Sequence, residues 1–120
     1  ARGYDFQEVI TKSTVWLANN QNEDGSMYNW YNNSNVVLEK QGDATAQAVR
    51  IWCCVDKDKY SENIEKATNF LKTLQSNRGG LAYNKNSEGK ISRDINSWVS
   101  MFAVQALMWQ LHKADKEWIV

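Results

Sequence analysis

The chain has 120 residues, 42% hydrophobic and 12% aromatic, which excludes a disordered polymer and allows one domain with a modest core. Its 14 Lys and Arg balance 14 Asp and Glu, so no net charge points to nucleic acid or an anionic membrane surface. Proline is absent where average usage would supply about six, which favours helices joined by few rigid turns.

The first predicted helix runs from about Asp5 to Asn20. Asp5 followed by Glu8 reads as a capping box, and Val9, Ile10, Trp16 and Leu17 fall at helical spacing. A polar loop, about Asn22 to Gly42, leads to a second helix over Ala44–Val55 that is apolar on nearly every side. The charged residues Asp56 to Lys59 link it to a third helix, about Ser61 to Ser76. There Ile64, Ala67, Phe70, Leu71 and Leu74 form one stripe, and Ser61 is the expected N-cap. A second loop, about Asn77 to Arg93, leads to the fourth helix, Ile95–Leu111. Trp98, Met101, Phe102, Val104, Leu107 and Trp109 cover most of its circumference, so burial on all sides is expected. Asp43 and either Asp94 or Ser92 are the expected caps of the second and fourth helices. Period-two alternation is missing, so no strand is predicted.

The chain also repeats itself. Lys12, Ser13, Trp16, Leu17, Gln21 and Gly25 return as Lys66, Ala67, Phe70, Leu71, Gln75 and Gly79, always 54 residues on. A fixed period of this size marks a copied structural unit. One domain over 1–120 is expected, with repeat 1 at about 5–56 and repeat 2 at about 59–113. The fold class expected from the pattern is all-α: two αα-hairpins with an amphipathic outer and an apolar inner helix each.

The repeated pattern resembles the QW repeat of the squalene and oxidosqualene cyclases, in the alpha-alpha toroid superfamily that also holds the protein prenyltransferases. The family's pattern is a basic residue, a small residue, an aromatic and an aliphatic, then glutamine, then glycine followed by tryptophan. Both copies depart at the last place, where Met27 and Leu81 stand, and Ser13 replaces the usual Gly or Ala. The resemblance covers about Phe6 to Leu111. It implies a segment of an α/α toroid and an enzyme acting on an isoprenoid or lipid-linked substrate, with this segment mainly wall. It also implies that Gln21 and Gln75 bond backbone groups at the start of a neighbouring helix, whose first N–H groups lack partners. Trp16 or Phe70 would wedge between outer helices, and the glycines would permit a turn closed to other residues.

No catalytic constellation stands out in the residues themselves. Squalene-type cyclases need a carboxyl held protonated, and Glu23-Asp24 is the nearest candidate, though a solvated turn explains it as well. Cys53, Cys54, Asp56 and the single His112 match no zinc spacing. Neither a metal nor a cofactor is expected. Tyr28, Trp30 and Tyr31, set among asparagines, suit a sugar ring or a loop stapled to the body, and Tyr83 and Trp98 could line the same mouth. Trp52, Trp98, Phe102 and Trp109 could line an isoprenoid pocket, core packing being the plainer role.

Adjacent cysteines point apart on a helix, so a disulfide scaffold is not expected and a reducing, cytoplasmic compartment is. No apolar run is long enough to span a bilayer. Two hairpins would leave the inner helices uncovered at their flanks. Either the chain is the C-terminal part of a longer one whose start precedes Ala1, or copies associate. From other classes, the alternatives are a non-catalytic module binding glycan or protein through its loops, and part of a polysaccharide-processing toroid enzyme.

Overall fold

The computed structural model describes residues 5–31 and 36–111, without the side chains of residues 30, 36 and 37. Among the described residues, four helices and three strands follow one another: α1 Gln7–Asn19, β1 Met27–Tyr31, β2 Val36–Gln41, α2 Gly42–Asp56, α3 Ser61–Thr73, β3 Asn84–Lys85 and α4 Ser97–Leu111. The helices fall where the apolar periodicity places them. The all-α expectation is corrected, and with it the picture of plain αα-hairpins in a toroid segment. The molecule is a mixed α and β fold, because both polar loops pair into one antiparallel sheet of order β1-β2-β3.

The sheet is short and local. Met27 faces Gln41 and Tyr28 faces Lys40, but the register slips between Tyr28 and Trp30. β2 then joins the second loop, where Lys40 faces Lys85 and Gln41 faces Asn84. Beyond it, Ala82 pairs with Ile95 and Lys85 with Ile91. A bulged strand and a two-residue strand cannot display the alternation that marks a strand in sequence.

α2 lies at the centre, packed on α3 and α4, while α1 touches it more sparingly. Ala46, Val49 and Trp52 of α2 are buried with Ile64, Phe70, Leu71 and Leu74 from the α3 side and Val99, Ala103 and Ala106 of α4. The expectation that α4 is buried all round is also corrected: Trp98 is 64% exposed, and Met101, Val104, Leu107 and Leu111 stand open too. Phe102 is half-buried. Among the described residues, no helix is long and apolar enough to cross a membrane.

Helix starts differ from the expected caps. Asp5 accepts the Gln7 N–H at 2.9 Å, but Phe6 is the N-cap of α1 and no capping box forms. Tyr60, not Ser61, precedes α3, and α2 begins at Gly42, before Asp43. The fourth helix is capped by Asn96, whose Oδ1 accepts the N–H groups of Trp98 and Val99 at 2.9 and 3.2 Å, in place of Asp94 or Ser92.

Candidate functional site

The two copies of the repeat build the same corner. After α1, the Gly25 N–H donates to the Asn22 carbonyl, and the Gln21 Nε2 donates to the Gly25 carbonyl at 3.0 Å. After α3, the Gly79 N–H donates to the Ser76 carbonyl, and the Gln75 Nε2 donates to the Gly79 carbonyl at 3.1 Å. Both glycines hold a positive φ, +91° and +97°, where a side chain strains the backbone. The basic residue of each copy pairs one turn back, Lys12 with Glu8 at 2.6 Å and Lys66 with Glu62 at 2.8 Å. These pairs are exposed and bias the helix weakly.

The likeness runs past the sequence motif. The Thr45 Oγ1 accepts the Met27 N–H at 2.9 Å and donates to the Gln41 carbonyl at 2.6 Å. The Ser100 Oγ accepts the Leu81 N–H at 2.9 Å and donates to the Asn96 carbonyl at 2.9 Å. Each hydroxyl latches the segment after the glycine, β1 at Met27 and an isolated bridge residue at Leu81, to the start of the inner helix. Thr45 and Ser100 are 55 apart, so the second copy has one extra residue in its loop. That insertion hides the inner-helix half of the repeat from a fixed-offset comparison.

The first corner is occupied. Gln21 Nε2 also donates to the Asn63 carbonyl in the first turn of α3 at 2.8 Å, and its Oε1 accepts from Asn63 Nδ2 at 2.7 Å. Gln21 therefore grips the start of a neighbouring helix through a carbonyl and a side-chain amide, rather than through the orphan N–H groups the resemblance suggested. Gly25 presses on the same helix: a Cβ there would lie 2.0 Å from the Lys66 carbonyl oxygen. At Gly79 a Cβ would meet nothing within 4 Å. Phe70 is buried in the core, whereas Trp16 is exposed and meets the Tyr31 ring edge-on at 5.1 Å.

The carboxyl candidate Asp24 is built to stay ionised. Partial burial raises its pKa, but the bond from Lys40 at 2.6 Å and those from the Ser26 hydroxyl and N–H outweigh that, leaving it below the ordinary value. A group meant to donate a proton to an alkene needs the opposite shift. Among the described residues, no three His, Cys, Asp or Glu side chains are grouped to hold a metal. Cys53 is buried, which raises its thiol pKa, while Cys54 is exposed; His112 lies outside the described residues.

The aromatic candidates divide. Tyr28 and Tyr31 lie together in β1 with ring centroids 6.0 Å apart. Tyr31 is a staple: its hydroxyl accepts the Tyr28 N–H at 2.9 Å and donates to the Asn20 carbonyl at 3.2 Å. Trp30 lies in β1 opposite Val37, its side chain outside the described residues. Tyr83 is half-buried and works through its backbone, which bonds Gly42 and Asp94. Trp98 meets Phe102 on its own helix at 5.9 Å, and among the described residues no ring contact links it to Tyr83 or to the tyrosine pair.

One group escaped the sequence reading. Arg50 of α2 reaches across to α4, its guanidinium 5.6 Å from the Phe102 ring centre and 5.3 Å from that of Trp109. Trp98, Phe102 and Trp109 recur at helical spacing, so this is an aromatic stripe with a cation in its middle. A single Arg amid an apolar helix signals this only once the partner helix is known. Comparison with known proteins adds no relative: no family model, no curated protein and no solved structure matches the chain.

Proposed function

We propose that the chain is a repeat domain of mixed α and β structure whose repeat is of the squalene-cyclase-like and prenyltransferase-like kind, a mainly structural part of an enzyme acting on an isoprenoid or lipid-linked substrate. The observation that carries this reading is the Gln21–Gly25 corner gripping Asn63, repeated locally at Gln75–Gly79. The substrate class is supported by the stripe from the exposed Trp98 through Phe102 to Trp109, with Arg50 beside it. Trp98 offers an open aromatic face to a prenyl chain, with the half-buried Phe102 and Arg50 behind it as a cation for an anionic head, while Trp109 is buried and anchors the stripe in the core. Two free cysteines fit the reducing, cytoplasmic compartment that belongs to this proposal.

The test is a titration with farnesyl diphosphate followed by tryptophan fluorescence. A saturable change that weakens in Trp98→Ala is expected. No saturable change, or one indifferent to Trp98→Ala, rejects the substrate class. A second reading, a module that binds protein, is favoured by the open apolar residues of α1 and α4. A glycan mouth is less well supported, since the hydroxyl and one ring edge of Tyr31 are engaged within the chain.

A further inference from the structure

The repeat offers an internal template for what its open surfaces should meet. Within the chain, α3 seats on the corner after α1 and on the face of α2, and that face is closed: Val49 is 0% exposed and Trp52 is equally buried. The matching positions on α4, 55 residues on, are Val104 and Leu107, and there Val104 is 54% exposed and Leu107 is open. Thr68, Leu71, Gln75 and Gly79 complete an open groove of about 130 Å³ between α3 and α4. It has the corner, the glycine with free space beside it, and the apolar floor, but among the described residues no helix lies in it.

The other half of the contact is also unused. α3 seats through Ile64, which is 4% exposed, together with the buried Ala67 and Phe70. Their counterparts on α1, 54 residues earlier, are Ile10, Ser13 and Trp16; Ile10 is 43% exposed, and Ser13 and Trp16 stand open as well. The chain thus carries a helix face of the kind the groove takes, and the groove, at opposite ends of one repeat pair.

We propose that copies of this chain associate head to tail, α1 of one copy seating in the α3–α4 groove of the next as α3 seats within the chain. Gln75 would grip the first turn of the incoming α1 near Val9, the counterpart of Asn63. Such a contact joins two different surfaces, so it propagates into a ring or a chain rather than stopping at a two-fold dimer. This inference stands on packing alone and is independent of the substrate class.

Sedimentation velocity over a concentration series tests it. The average mass of the unmodified chain is expected to rise beyond two copies. Ile10→Glu with Ser13→Glu removes the helix face, and Val104→Glu with Leu107→Glu removes the groove; circular dichroism checks that both remain helical. Each double variant alone is expected to stay monomeric. An equimolar mixture is expected to give a species of two copies and no more, because one competent contact remains. The proposal is overturned if the unmodified chain stays monomeric at its highest soluble concentration, if it stops at two copies, if either variant assembles alone, or if the mixture does not pair.

Discussion

Alanine at Gly25 and alanine at Gly79 should have very different costs, although the two glycines occupy the same place in the repeat and have φ values of +91° and +97°. Each substitution forces an L side chain into a left-handed backbone, at about 1–2 kcal/mol. Part of that is offset by the lower chain entropy of the unfolded state, about 0.4–1 kcal/mol. At Gly79 the account ends there, because the new Cβ meets nothing within 4 Å. At Gly25 the Cβ would lie 2.0 Å from the Lys66 carbonyl oxygen and 2.6 Å from the Ala67 backbone nitrogen. These are helix backbone atoms, so they cannot swing aside as a side chain can. Relief requires α3 to lift off the corner, which breaks the two bonds between Gln21 and Asn63. At about 1 kcal/mol each net, plus lost packing at Ala67, the excess cost of Gly25→Ala is about 2–4 kcal/mol. Urea unfolding followed by far-ultraviolet circular dichroism measures both variants at once, with unchanged slope and displaced midpoint expected for Gly25→Ala. Equal destabilisation of the two would refute the claim that only the first corner is occupied. Association, if it fills the second corner, would raise the Gly79→Ala cost with protein concentration, so the comparison is made dilute.

Other outcomes follow from the same contacts. Asp24 has its pKa lowered by Lys40 and Ser26 against the raising effect of burial. Its stabilising contribution is present above about pH 4, the unfolded value, and is lost as pH falls through the lower folded value. Asp24→Asn should therefore flatten the acid limb of a stability–pH curve, and an unchanged limb would count against the pairing. Val49→Ala should cost about 2 kcal/mol because the side chain is fully enclosed, and Val104→Ala at most about 0.5 in the dilute chain, both read from thermal midpoints; similar costs would mean that the α4 face is covered. Asn96→Ala should cost about 1 kcal/mol through the lost cap, and a thermal midpoint shared with the unmodified chain would remove Asn96 from that role.

The helices were legible because helix formation leaves a local trace. Ile64, Ala67, Phe70 and Leu71 recur at the helical period, and the neighbours that read out that period lie within the same segment. The strands left no such trace. Met27 meets Gln41 and Lys40 meets Lys85 across loops, through backbone groups that any residue supplies, and a bulge breaks the alternation. Caps fell between these cases: Asn96 is an ordinary capping residue, but where α4 starts was not visible until the Ala82–Ile95 pairing stopped just before it.

The candidate site shows the same division. Gln21 and Gly25 were legible as a structural pair from their duplication, and the positive φ of Gly25 bears out the turn geometry expected of it. The direction of the Gln21 bonds, the stapling of Tyr31 and the placement of Arg50 over two rings all depend on partners from other elements.

By itself, the order of residues determined that one unit of about 54 residues occurs twice and that its apolar periodicity winds into helices. Tertiary structure alone decided that matching motifs end in different surroundings. Val49 is enclosed on a helix that packs against both α3 and α4, and Val104 is open because among the described residues no helix lies over it. Burial is a property of neighbours in space, and a repeated sequence cannot say which of its copies has one.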